Sequence, residues 1–445
     1  MLAQSHAKAV STSESKRASM GRGATRFRFL DGLRGWAAVV VLLHHLFVDG
    51  LPANSFMADR ALWAKVFFLN GTLAVSVFFV ISGFSLSIRY LETGDGGALG
   101  RIAAGRYLRL ALPIFAICAV TYVLLVLGLI PPAAQRPSPL DQFLSFSPAI
   151  DGLLSFALLK VFVAYSGAES YDPPLWTMTY EFFGSFMVFA LIAYLRPSRL
   201  RTLLLAALFL LLTALQTYFA LFVAGILIAD LFPLIGASTA ANRAGAIVCG
   251  AGLLLIVLPH TWFAAVYVGG ATCLTAGAVI CTPLRRFFEN RVSGFLGWIS
   301  FPLYLVQAAV IYVLAPRGLT LLASYGFAPE TQRWLLDFAL IPIAFLCAIA
   351  FCPVNDFAVA ASRRFGASVV AFCDDLGARW RLDCWFEHDP FRNRCQPSDQ
   401  VRGQLFRDHA LVMDQRAGAE LGEELEQHRM RHLAVEDDDT LDSAF

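Results

Sequence analysis

The chain has 445 residues, of which 57% are hydrophobic and 15% charged, with a formal net charge of +2. Soluble domains carry about 25% charged residues. The low charge, a mean hydropathy of +0.61 and long apolar runs exclude a soluble globular protein and read as a polytopic membrane protein. The near-zero net charge points to no partner. Nine cysteines without a C-x-x-C pair supply neither a disulfide framework nor a zinc site.

Residues 1–28 hold Lys8, Lys16, Arg17, Arg22, Arg26 and Arg28 against Glu14, and read as a disordered cytoplasmic head. No small-residue cleavage motif follows the first apolar run, so that run is expected to stay in the mature chain. From there the pattern predicts an all-α membrane domain over 29–353 with about ten transmembrane helices. They lie near 33–49, 70–90, 108–130, 175–195, 201–216, 218–233, 245–259, 262–281, 295–315 and 334–352. Residues 131–174 form an outward loop whose apolar middle, Leu153 to Tyr165, is too short to span and is expected to lie in the interface or re-enter. The segments 201–216 and 218–233 require one tight outward turn. A polar tail, 354–445, includes an amphipathic stretch around 358–380 and the acidic run Glu436 to Asp439. Its Cys373, Cys384 and Cys395, with His388, form no recognisable metal site. Alternate loops carry the arginines (Arg101 and Arg106; Arg199 and Arg201; Arg285, Arg286 and Arg291; Arg363 and Arg364), which places both termini in the cytoplasm of an inner (plasma) membrane.

The first span, Phe29-Leu-Asp-Gly-Leu-Arg-Gly-Trp-Ala-Ala-Val-Val-Val-Leu-Leu-His-His-Leu-Phe47, carries Arg34 and, eleven residues on, His45. On an α-helix the two share a face, roughly 16 Å apart along the axis, while His44 is turned by about 100°. Ionisable groups inside spans are costly and face a bundle interior more often than lipid. A neutral histidine is also a suitable base near pH 7. The plainer reading makes Arg34 a cytoplasmic anchor and the histidines interfacial, and His44 is the rival to His45.

Four further stretches carry polar groups in apolar surroundings. Gly71-Thr-Leu-Ala-Val-Ser-Val-Phe-Phe-Val-Ile-Ser-Gly-Phe84 contains Ser82, and its Ser-Gly pair also suits a close helix contact. Gly105-Arg-Tyr-Leu-Arg-Leu-Ala-Leu-Pro113 puts Arg106 and Arg109 on one face at a cytoplasmic helix start, as phosphate binders or as anchors. Pro174-Leu-Trp-Thr-Met-Thr-Tyr-Glu-Phe-Phe183 holds Trp176 and Glu181, an acid inside a span that needs a partner or a role. Leu296-Gly-Trp-Ile-Ser-Phe-Pro-Leu-Tyr-Leu-Val-Gln307 carries Tyr304 and Gln307.

In this order, over roughly residues 26–352, these stretches resemble the motifs of the acyltransferase-3 family of integral-membrane acyltransferases. The resemblance implies transfer of an acyl group, most often acetyl, from acyl-CoA to a hydroxyl of an extracytoplasmic carbohydrate or glycolipid. The implied partners are these substrates and the bilayer, with no metal and no nucleic acid. Within that resemblance His45 would be the base, with Arg34 and Glu181 beside it. Arg106 and Arg109 would hold coenzyme A phosphates, and Trp176, Ser82, Tyr304 and Gln307 would line the site. The chain departs from the family at Ser76, where an Asp is usual, and at Gln307, where a His is common; Gln hydrogen-bonds but cannot shuttle a proton. A transporter or flippase using Arg34, His45 and Glu181 as a substrate or proton path is the alternative.

Overall fold

The structure is a computed structural model describing residues 28–49, 60–63, 65–195, 198–236, 238–257 and 263–387. The expected basic head and the acidic end of the tail lie outside the described residues. Contacts divide the chain into a unit Thr25–Val370 and a second unit, Met1–Ala24 with Ala371–Phe445. Of the second only the end of the last helix is described, and its Cys373 is exposed.

The described residues contain helices and no strand. In chain order the longer ones are α1 (Arg28–His44, continued by a π-helical turn His45–Asp49), α2 (Gly71–Thr93), α3 (Gly96–Val126), α4 (Thr177–Tyr194, entered through a 3-10 turn Pro173–Trp176), α5 (Arg199–Ala214) and α6 (Phe219–Leu231). There follow α7 (Thr239–Val257), α8 (Phe263–Ile280), α9 (Thr282–Phe288), α10 (Arg291–Ser324) and α11 (Pro329–Glu387). Side-chain caps set several starts: Asn70, Asp95, Ser198 and Asn290 each accept the N–H three residues on, at 2.9, 2.9, 3.2 and 2.8 Å. Gly94, at φ 68°, ends α2 in the left-handed conformation that glycine adopts freely.

This is an all-α polytopic membrane protein. Seven described helices are long and apolar enough to cross a bilayer, and α8 with α9, bent by 96°, makes an eighth if counted as one span. A helix occupies each of the ten expected positions, but α5 and α6 are shorter apolar helices rather than full-length spans by this measure. They form the expected hairpin. Gln216, at φ 54°, sits in the turn, and at the open ends Arg201 and Thr202 both bond the Asp230 carboxylate. The segment 150–163 is a short broken helix burying Leu153, Phe156, Val161 and Phe162 while Leu154, Leu159 and Val163 stay exposed, and it is not among the spans. The last helix runs unbroken past residue 354 to Glu387, so the polar tail begins as its continuation.

Helix contacts are tightest where the sequence places glycine. A Cβ on Gly35 of α1 would lie 2.4 Å from the Gly297 nitrogen of α10, so no larger residue fits. In membranes such small-residue contacts let backbones meet and replace the missing hydrophobic drive between helices. The α2–α6 crossing is built likewise: a Cβ on Gly83 would lie 2.2 Å from the Phe222 carbonyl oxygen.

Candidate functional site

The first span and α10 pack side by side in parallel. Gly32 faces Ser293, Gly35 faces Leu296 and Gly297, and the Trp36 indole donates to the Ser293 hydroxyl at 3.0 Å. Both helices rise equally per residue, so this register brings His45 to about the level of Val306 and Gln307. At the arginine-rich end Arg34 makes a loose pair with Asp31, one turn earlier, at 3.5 Å.

Glu181 of α4 is the hub of the polar interior. The Ser82 hydroxyl of α2 donates to its Oε1 at 2.7 Å, and the Arg106 guanidinium of α3 forms an ion pair with the same oxygen. Arg106 Nε also donates to Ser185 Oγ at 2.8 Å, which in turn donates to the Glu181 carbonyl. The pair is largely buried, its side chains 13% and 14% exposed. Three helices are thus tied by one carboxylate. Ser82, Arg106 and Glu181, expected in separate roles, form a single network.

Arg109, one turn beyond Arg106, donates to Asn355 Oδ1 of α11 at 2.9 Å and sits 5.5 Å from the centre of the Phe301 ring. Arg106 and Arg109 therefore share a helix but use different partners. Arg34 is within electrostatic reach of both, and Arg109 also feels Asp356 and Arg363 of α11. Around Arg109 three further guanidinium groups, Arg34, Arg106 and Arg363, outnumber the one carboxylate within reach, Asp356, a local excess of positive charge suited to an anion.

At the other end of α1 the two histidines part. His44 Nδ1 bonds the Leu69 carbonyl at 2.8 Å, and its ring covers Gly71, where a Cβ would meet it at 2.6 Å. A carbonyl only accepts, so Nδ1 carries the proton and Nε2 is the basic nitrogen. His45, half-buried with its ring 5.8 Å from that of His44, opens the π turn. Such wide turns occur often at functional sites. Ser76, where the family has an acid, bonds back to the Thr72 carbonyl at 2.8 Å and reaches no other helix through that bond.

Tyr304 and Trp176 shape the start of α4. Tyr304, buried in α10, bonds the Pro174 carbonyl and the Thr177 hydroxyl, the latter at 2.7 Å. Tyr165 similarly donates to the Pro173 carbonyl at 2.8 Å. Prolines lack an N–H, and these phenols fix the turn by its carbonyls instead. Trp176 packs in an aromatic group edge-on against Tyr180 and tilted against Tyr218, at 6.1 and 5.6 Å between ring centres. Gln307, fully buried, donates to the Tyr304 carbonyl at 3.0 Å, while its Oε1 finds no partner among the described residues.

Two buried acids escaped sequence reasoning. Asp172, just before the Pro173–Trp176 turn, is 1% exposed and neither carboxylate oxygen has a hydrogen-bond partner among the described residues; burial pushes its carboxyl well above the usual range. Asp337 of α11 pairs with Arg333 at 2.8 Å, both essentially buried. An acid four residues after an arginine in an apolar helix was the available signal. Among the described residues no group of three or more His, Cys, Asp or Glu could hold a metal ion.

No curated protein and no solved structure matches the chain. One family model, described as an acyltransferase domain, matches residues 27–353, spanning α1 to the middle of α11 and every polar group described above except Asn355, Asp356 and Arg363. The chain belongs to the acyltransferase-3 family, and is a membrane acyltransferase.

Proposed function

We propose that the protein moves an acyl group, most often acetyl, from cytosolic acyl-CoA to a hydroxyl of an extracytoplasmic carbohydrate or glycolipid. The observation that carries the reading is the electropositive cluster of Arg34, Arg106, Arg109 and Arg363, gathered from three helices at the arginine-rich end. Like charges brought together among apolar helices favour an anionic ligand, and the phosphates of coenzyme A supply one. The positive-inside pattern supports a cytoplasmic position for this cluster, the side that supplies acyl-CoA in this reading. His45 lies toward the opposite face, about 16 Å further along α1.

In this reading the arginines hold the donor by its phosphates and the acyl arm extends along α1 toward His45. The His45 imidazole takes the proton of the acceptor hydroxyl as its oxygen attacks the thioester carbonyl. Collapse of the tetrahedral intermediate expels the coenzyme A thiolate, which the imidazolium protonates. Glu181, bonded to Arg106 and Ser82, keeps Arg106 fixed rather than acting on the reacting atoms.

The test is incorporation of label from radiolabelled acetyl-CoA into the carbohydrate and lipid fractions of inverted membrane vesicles containing the protein. Label in a glycan or glycolipid is the expected result. Gradient-driven uptake without acyl transfer would instead establish the transporter alternative.

A further inference from the structure

The last three turns of α1 pose a problem that the chain solves with residues far away in sequence. The final carbonyls of any helix lack an intrahelical donor, and an unsatisfied carbonyl in apolar surroundings is expensive. Leu46, directly after His45, lies in this final π turn and is itself fully buried. The Arg333 guanidinium of α11 donates to its carbonyl. Arg333 is in turn held by Asp337, with Nε to Oδ2 at 2.8 Å and side chains 3% and 1% exposed. One residue further, the Phe47 ring lies 5.9 Å from Trp334 and 5.8 Å from Phe338 on the same helix. On the near side, His44 is fixed to the Leu69 carbonyl. Both neighbours of His45 are therefore anchored, one by α11 and one by the chain before α2.

Resting on the reading of His45 as the base, we infer that Arg333 and Asp337 are positioning residues for it. By capping the Leu46 carbonyl, Arg333 holds the π turn in the one rotation that directs the imidazole to the acceptor. Asp337 keeps the guanidinium charged, oriented and compensated. A buried ion pair is weak as a source of stability, because removing two charges from water costs nearly as much as their attraction returns. Its value here is orientation. An apolar pair of similar size would pack equally well and would leave the Leu46 carbonyl without a donor.

That difference supplies the test. The full chain in detergent is assayed for hydrolysis of acetyl-CoA across pH, with unfolding temperature measured in parallel, as wild type, His45→Ala, Arg333→Lys and the double variant Arg333→Met/Asp337→Leu. The double variant is expected to fold, with its unfolding temperature lowered by no more than the lost carbonyl bond accounts for, to keep its KM for acetyl-CoA, and to lose about 100-fold in kcat, the scale of a base displaced by about 1 Å. Arg333→Lys cannot reach Asp337 and the carbonyl in the same fork geometry. It is expected to lose about tenfold in kcat and to shift the acidic limb of the pH profile, which a purely structural contact leaves in place. Wild-type kcat and pH profile in Arg333→Lys, or in a folded double variant, with His45→Ala inactive, overturns the inference and leaves the role of His45 intact. Full activity in His45→Ala overturns that role and the inference together.

Discussion

Arg106 on α3 closes a largely buried ion pair with Glu181 on α4, and Ser82 of α2 donates to the same carboxylate oxygen. One acid thereby fixes three spans and one member of the arginine cluster. Removing one partner strands a charge in the interior, whereas replacing both does not. Glu181→Ala is expected to cost about 3–5 kcal/mol of stability, and the double variant Arg106→Met/Glu181→Leu to recover most of it. Neither is expected to transfer acyl groups. Denaturation in detergent, set beside turnover, checks both halves.

Arg109 is placed to test the donor. Its partners are Asn355 and the Phe301 ring, and no carboxylate among the described residues touches it directly. Loss of a charge-assisted phosphate contact is expected to raise KM for acetyl-CoA in Arg109→Ala by about 10–100-fold, the worth of roughly 1.5–3 kcal/mol. The KM for acetyl-pantetheine, which carries no phosphate, should stay within about threefold, since the contact it lacks is the one removed. Equal effects on the two donors would place Arg109 elsewhere in the mechanism.

Asp172 makes the pH prediction. Its folded carboxyl titrates above its unfolded value because of burial. The unfolded chain therefore releases this proton first, and stability is fully present below the ordinary carboxylate range and declines as pH rises toward the folded value. Asp172→Asn removes the titration. It is expected to raise the unfolding temperature at pH 8 and to change it little at pH 4, by an amount corresponding to about 1–3 kcal/mol. A variant less stable at pH 8 than wild type would mean that the ionised carboxylate has a partner.

Much of this arrangement was legible in the sequence. Apolar runs located the helices, and the Glu181 acid drew attention to a group that the fold largely buries, whereas Arg34 and His45 are half-buried. The Gly-containing motifs were legible only in part. Gly35 and Gly297 were read beside functional residues, and they are the contact that sets α1 against α10. What could not be read is tertiary. Nothing near Glu181 in sequence says that Arg106 is its partner, and nothing near Arg333 says that α11 brings it to the Leu46 carbonyl. The π turn was also hidden, because a single widened turn leaves no periodic trace. The runs read at 201–216 and 218–233 match α5 and α6 in length, but two apolar runs divided by a turn at Gln216 look alike whether or not each is long enough to span.

The central claim is that His45, rather than His44, is the base of an acyl transfer. The most direct measurement is hydrolysis of radiolabelled acetyl-CoA by the purified protein, with wild type beside His45→Ala and His44→Ala. Loss of a general base costs about 100–10,000-fold. The account predicts that loss in His45→Ala, while His44→Ala, which gives up its bond to the Leu69 carbonyl, keeps a substantial fraction of the activity. Abolition in His44→Ala with His45→Ala still active would contradict it, and would make the imidazole oriented by the Leu69 carbonyl the base.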